Sequence, residues 1–141
     1  MQLSPHLDKE LYARLLAAKR FMDENYSAPL HLDEISQKAL LSRFHFHRLF
    51  SRVYRKTPHR YLTLKRMDKA RDLLAQNIPV GEVCTEVGFE SPASFSLLFK
   101  KEIGFAPQHY RSQAVEKKQK AAEQPKAFIP HCFIESYKLG E

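Results

Sequence analysis

The chain has 141 residues, 43% hydrophobic and 11% aromatic, which suits one compact core and argues against wholesale disorder. Its formal net charge is +7, and the surplus sits in one place. Residues 35–67 carry nine lysines and arginines, three histidines and no acidic residue, while residues 1–34 sum to −2 and residues 68–141 carry ten charges of each sign. No apolar run is long enough to span a membrane, and the amino terminus lacks the basic start and apolar run of a secretion signal. Two cysteines without a spacing pattern, Cys84 and Cys132, suit a reduced cytoplasmic chain.

Residues 8–26 read as an amphipathic helix that turns Leu11, Leu15, Ala18 and Met22 to one face. Asn25, Ser27 and Pro29 end it. A short helix follows over residues 32–39, with Asp33 and Glu34 near the positive end of its dipole and Ile35 and Ala39 inward. A tight link over residues 39–42 leads into the stretch from Ser42 to Val53. There Phe46, Leu49, Phe50 and Val53 fall on one helical face, Arg43, Phe44, His47, Arg48 and Ser51 fall on the other, and Ser42 stands at the N-cap. Two short helices joined by a tight link, the second one basic, have the sequence form of a helix-turn-helix. Arginines interleaved with aromatics at this spacing point to nucleic acid as the anionic partner.

Thr57-Pro58 opens a long helix to about residue 76, as N-cap and first helical residue. Tyr61, Leu64, Ala70 and Leu74 are its expected buried residues, and Asn77 and Pro79 stop it. A short helix over residues 80–87 ends at Gly88, a suitable left-handed stop. Ser91-Pro92 opens the next helix, which reaches Ile103 and ends at Gly104, and Pro107 begins a final short helix through about residue 115. Residues 116–126 read as a polar, lysine-rich linker. The last stretch, residues 127–141, contains Phe128, Ile129, Phe133, Ile134 and Tyr137 and is too apolar for a random tail. Pro130 argues against a helix there. This stretch reads as a short extended segment that docks on its own domain, contacts another chain, or is a fragment of something larger.

The most specific signal is an internal repeat. A shift of 49 residues places Ser42 on Ser91, Phe46 on Phe95, Leu49 on Leu98, Phe50 on Phe99, Pro58 on Pro107 and Tyr61 on Tyr110. The same unit therefore occurs twice, joined by the long helix. Eighteen or nineteen residues at about 1.5 Å each span roughly 28 Å. That is near the 34 Å or so between successive major grooves on one face of DNA.

Gly88-Phe89-Glu90-Ser91 followed by Phe95, Phe99-Lys100-Lys101, Gly104, Pro107 and Tyr110-Arg111 resembles the signature of the AraC/XylS family of bacterial transcription regulators. The likeness covers about residues 10–112. It implies an all-α, seven-helix domain, here residues 1–115, in which two helix-turn-helix units joined by a long linker helix bind an asymmetric site in adjacent major grooves. It further implies a transcription regulator, more often an activator, on the nucleoid in the cytoplasm. Double-stranded DNA is then the expected partner, with RNA polymerase a further candidate. Most members carry an effector-binding domain for which this length leaves no room, so the chain resembles the small stand-alone type or an excised DNA-binding domain.

By position, Phe44, His47 and Arg48 match the base-facing residues of the first recognition helix, and Ala93, Ser96 and Leu97 those of the second. A guanidinium such as Arg48 pairs bidentately with guanine O6 and N7. His47 can donate to or accept from a base edge, and Phe44 can meet a thymine methyl or a sugar. Leu97 departs from the family, which often has arginine there. Neither Leu97 nor Ala93 can hydrogen-bond a base, so the second unit is expected to read through methyl contacts and shape, or to bind weakly. Arg43, Arg55, Lys65, Arg66, Lys100, Lys101 and Arg111 are the expected phosphate contacts. Arg55 stands where the repeat has Gly104, so the first recognition helix is expected to end differently.

Phe46, Phe50, Phe95 and Phe99 read as core, and Cys84 as a small inward residue matching Ser36. His45 and His47 diverge by about 200° on a helix and cannot chelate one metal, and no nucleophile, base and orienter converge. No metal, no cofactor and no enzymatic activity are expected. The competing reading is a helical protein-interaction module that uses the basic face and the apolar tail.

Overall fold

The computed structural model describes residues 8–123 and places them in seven α-helices: α1 Lys9–Glu24, α2 Leu32–Lys38, α3 Arg43–Tyr54, α4 Pro58–Ala75, α5 Val80–Glu86, α6 Pro92–Ile103 and α7 Pro107–Glu123. Most helix starts are set by local chemistry. The hydroxyls of Ser42, Thr57 and Ser91 accept from the backbone N–H of His45, Arg60 and Ser94 at 3.1, 3.1 and 3.4 Å, each satisfying one of the four N–H groups that a helix start leaves open. Pro58 and Pro92 follow at the first helical position, where the missing N–H costs nothing.

The repeat becomes two cores. In the first, Leu15, Met22, Ile35, Phe46 and Phe50 are buried together with Leu62 of α4. In the second, Met67, Ala70 and Leu74 of α4 join Val83, Cys84, Phe95 and Phe99. The aromatic geometry is duplicated as well. Phe46 and Phe50 stand 5.6 Å apart and Phe50 meets Tyr61 edge-on at 5.7 Å; Phe95 and Phe99 stand 5.7 Å apart and Phe99 meets Tyr110 edge-on at 5.6 Å.

Helix α4 serves both cores and departs from the expected burial. Tyr61 and Leu64 are half-buried, whereas Leu62, Thr63 and Met67 are buried. Neighbouring residues lie roughly 100° apart on a helix. Burial of both Leu62 and Thr63 therefore marks where the covered face of α4 passes from the first unit to the second.

The turn inside each unit is a Schellman closure. Leu41 N–H donates to Ser36 O at 3.2 Å in the first, and Phe89 N–H donates to Cys84 O at 3.0 Å in the second. Leu40 and Gly88 hold the left-handed position, at φ 55° and 94°. Ser36 and Cys84 thus correspond, both buried, at a shift of 48 rather than 49; the second turn holds one more residue, Glu90. Leucine adopts positive φ reluctantly. Arg14 of α1 braces it, donating from Nε to Ala39 O at 2.8 Å and from Nη2 to Leu40 O.

Two expectations are corrected. Helix α3 ends as its twin does: Arg55 takes the left-handed position at φ 61°, as Gly104 does at 98°. Thr57 and Pro58 commit the next helix so soon that the chain must reverse there, whatever residue stands at the stop. Arg55→Gly is expected to stabilise the fold by roughly 0.5–1 kcal/mol, read by urea unfolding; a loss would mean that the arginine side chain contributes more than its backbone costs. Helix α7 does not stop near residue 115 but continues to Glu123, so residues 116–123 are helix rather than linker. Lysine, glutamine, glutamate and alanine favour a helix, and Lys118 Nζ donates to Ala75 O at 2.7 Å, tying α7 to the end of α4. Residues 124–126 and the apolar tail at 127–141 lie outside the described residues.

Candidate nucleic-acid interface

Helix α3 buries Phe46, Leu49, Phe50 and Val53, packs Tyr54 against the same core, and turns Phe44, His45, His47, Arg48 and Arg52 outward. Phe44 is 74% exposed on that outward side. His47 and Arg48 are exposed beside it. Arg48 also lines a shallow concavity with His45, Leu49 and Arg52. His45 and Arg52 were absent from the expected set; the cue available was that Arg52 follows Arg48 by one helical turn. Arg43 lies 3.5 Å from Asp33 of α2 and 5.6 Å over the Phe44 ring, so it braces the ring's base while staying solvent-facing. Ser51 is turned back onto its own helix, donating to His47 O at 2.7 Å.

The outward face of α6 is different in kind. Leu97 is 74% exposed, Ala93 is exposed and Ser96 is half-buried. Lys100 and Lys101 are exposed in its last turn. One helix thus offers a cation, an imidazole and a ring, and its twin offers methyl groups and a hydroxyl.

The remaining cations divide by what holds them. Arg55 is exposed at the end of α3. Lys65 lies 3.7 Å from Asp23, which also takes Lys19 at 3.3 Å and the Tyr61 hydroxyl proton. Burial works to raise the Asp23 carboxyl, but the Tyr61 hydrogen bond and the two lysines outweigh it and hold it below the ordinary carboxylate range. Burial and the same bond push the Tyr61 hydroxyl up.

Arg66 and Arg111 are placed otherwise than expected. Arg66 is half-buried and donates from Nε to Tyr26 O at 2.7 Å and from Nη2 to Ala28 O at 3.0 Å, with its guanidinium over the Phe89 ring at 5.8 Å. Arg111 donates to the side chain and carbonyl of Asn77 at 3.0 and 3.2 Å, closing the left-handed turn after α4. Both guanidinium groups are engaged by the protein's own oxygens, which makes them weaker candidates for phosphate contacts than the solvent-facing cations. Cys84 is buried, and burial raises its thiol, which suits a packing residue rather than a nucleophile. Among the described residues no three His, Cys, Asp or Glu side chains converge as a metal site, and no helix is long and apolar enough to cross a membrane.

Two helix-turn-helix units on one shared helix, each with its second helix turned outward, define the architecture of a double helix-turn-helix DNA-binding domain. Residues 35–113 match the family model described as a helix-turn-helix domain, and the chain belongs to the AraC/XylS family. It is 32% identical over 92 residues to the probable transcriptional regulator LumQ of Photobacterium leiognathi, covering 64% of this chain and 37% of that protein. An AraC-type DNA-binding domain protein from Chromobacterium violaceum superposes with a TM-score of 0.67 at 27% identity, over 76% of this chain and 96% of that one. The DNA-binding domain of AdpA, a global transcriptional factor solved with a target DNA, shares the fold with a TM-score of 0.68 at 24% identity, over 80% and 97%. The chain spans about a third of the length of the first curated relatives it matches.

Proposed function

We propose that this chain is a sequence-specific, DNA-binding transcription regulator that sets α3 and α6 in adjacent major grooves and acts as an activator through contact with RNA polymerase. The observation that carries the reading is the outward face of α3, where Phe44, His47 and Arg48 stand exposed on the second helix of a helix-turn-helix, inside a segment without an acidic residue. The fold's recurrence in the AdpA domain with its target DNA supports it.

In this reading Arg48 reads a guanine, His47 a neighbouring base edge, and Phe44 a thymine methyl or a sugar. Ala93, Ser96 and Leu97 read methyl groups and shape. Arg43, Arg55, Lys65, Lys100 and Lys101 meet phosphates and set the register. Work in the cytoplasm, on the nucleoid, follows from that partner. Selection from a random duplex pool is the direct test, and affinity for the selected site should fall steeply with salt. No duplex binding at low salt overturns the reading. Against the selected site, Arg48→Ala should remove about 1–3 kcal/mol of discrimination at one base pair. Equal weakening on selected and random duplexes would make Arg48 a phosphate contact instead.

A further inference from the structure

Nothing in the chain's connectivity ties α6 to the first unit. It is reached through α5 and left through α7, both of which pack on the second half of the molecule. Yet both ends of α6 are held to residues that belong with the first unit.

At its far end, Glu102 in the last turn forms a forked pair with Arg60 in the first turn of α4. Nη2 lies 2.8 Å from Oε2, and Nη1 closes the second arm on Oε1. The Glu102 side chain is only 10% exposed and that of Arg60 47%. Glu102 also breaks the repeat, since the shift of 49 residues aligns it with Val53, a buried core residue of the first unit. A core position has been turned into one arm of a bidentate contact, the geometry that fixes both distance and angle.

At its near end, the turn that leads into α6 rests on the α1–α2 connection. A Cβ added at Gly88 would stand 2.9 Å from the carbonyl carbon of Ser27 and closer still to its oxygen. Beside this backbone contact, Arg66 holds the carbonyls of Tyr26 and Ala28 and lies over Phe89. Phe89 in turn packs on Phe95 of α6, with ring centroids 5.4 Å apart.

We propose that Arg60 and Arg66 are positioning residues that hold α6 at both ends against the first unit, and so restrict the protein to paired half-sites at one separation and one rotational setting. The inference rests on the proposed reading of DNA by both units. Phe95 and Phe99 already pack α6 on α4; ties at both ends of a helix roughly 18 Å long fix its angle as well. The Arg60 side of the pair is open to solvent and screened, so the forked pair is expected to act more on orientation than on folding.

The test uses the full chain and its selected duplex, alongside duplexes whose half-sites are moved apart by one or two base pairs. Two added base pairs turn the second half-site by roughly 70°. Wild type should lose about 20-fold or more in affinity on the latter. Arg60→Gln and Glu102→Gln should each lose less than about 5-fold, with thermal midpoints close to wild type. The exchange Arg60→Glu with Glu102→Arg should restore the wild-type penalty. Arg66→Lys keeps the charge but not the fork, and should relax the spacing as well. An unchanged spacing penalty in the variants overturns the clamp alone. So does uniform weakening by Arg60→Gln with strengthening by Glu102→Gln, which would make Arg60 a phosphate contact. A wild-type chain that selects no bipartite site overturns the functional reading, and the clamp with it.

Discussion

Gly88→Ala is expected to lower the free energy of unfolding by about 2–4 kcal/mol, with a fall in thermal midpoint of roughly 10–25 °C. Gly88 and Gly104 have nearly the same backbone, at φ 94° and 98°. Alanine at either position pays the strain of positive φ, about 1 kcal/mol. They differ in what the new methyl meets: nothing lies within 4 Å at Gly104, whereas at Gly88 it runs into the backbone of Ser27. A backbone carbonyl cannot swing aside as a side chain can, so relief requires the two units to part. The difference between the two alanine variants, read by circular dichroism on heating, therefore isolates the contact between units. If both variants lose the same stability, the Ser27 contact yields freely and the units are not pressed together there.

Phe50→Ala and Phe99→Ala should each cost about 3–5 kcal/mol, a large part of the 5–15 kcal/mol or so by which a domain is stable. Each ring is fully buried and flanked by a tilted phenylalanine and an edge-on tyrosine. Neither site offers an obvious way to collapse onto the vacancy, because the neighbours are rings held by their own helices. Although the rings sit in separate cores, both variants should show a single unfolding transition. Leu62 of the first core and Met67 of the second lie little more than a turn apart on α4, so one core cannot melt without fraying the helix that carries the other. Urea unfolding followed by circular dichroism and by tyrosine fluorescence should give coincident curves. Separate transitions would show that the units unfold independently.

Much of the architecture was legible because its causes are local. Ser42, Thr57 and Ser91 cap the helices they were expected to cap, and Phe46, Phe50, Phe95 and Phe99 are core residues. The features that local sequence does not signal have distant causes. Leu40 and Arg55 adopt a conformation usually marked by glycine because the elements around them leave no other path. Tyr61 and Leu64 suit a single buried stripe, but α4 changes its covered face along its length and leaves both half-buried. Arg60, Arg66 and Arg111 look alike in a charge count, yet each finds its partner 34 to 42 residues away. A net charge cannot separate a guanidinium facing solvent from one spent on a carbonyl. The basic segment of residues 35–67 is therefore less free to bind an anion than its composition suggests, and its outward offering narrows to the face of α3, the residues at its end and Lys65.

The extra residue in the second turn, Glu90, has a consequence for redesign. It falls before the capping serine, so the two outward helices stay in phase when counted from Ser42 and Ser91. Phe44, His47 and Arg48 correspond to Ala93, Ser96 and Leu97, and none of the six is a core residue. The outward triplet is in effect a cartridge. On the reading of DNA proposed above, writing Ala93→Phe, Ser96→His and Leu97→Arg into α6 would put the same three side chains on both outward helices without touching either core, and the preferred site would change from an asymmetric pair to a direct repeat.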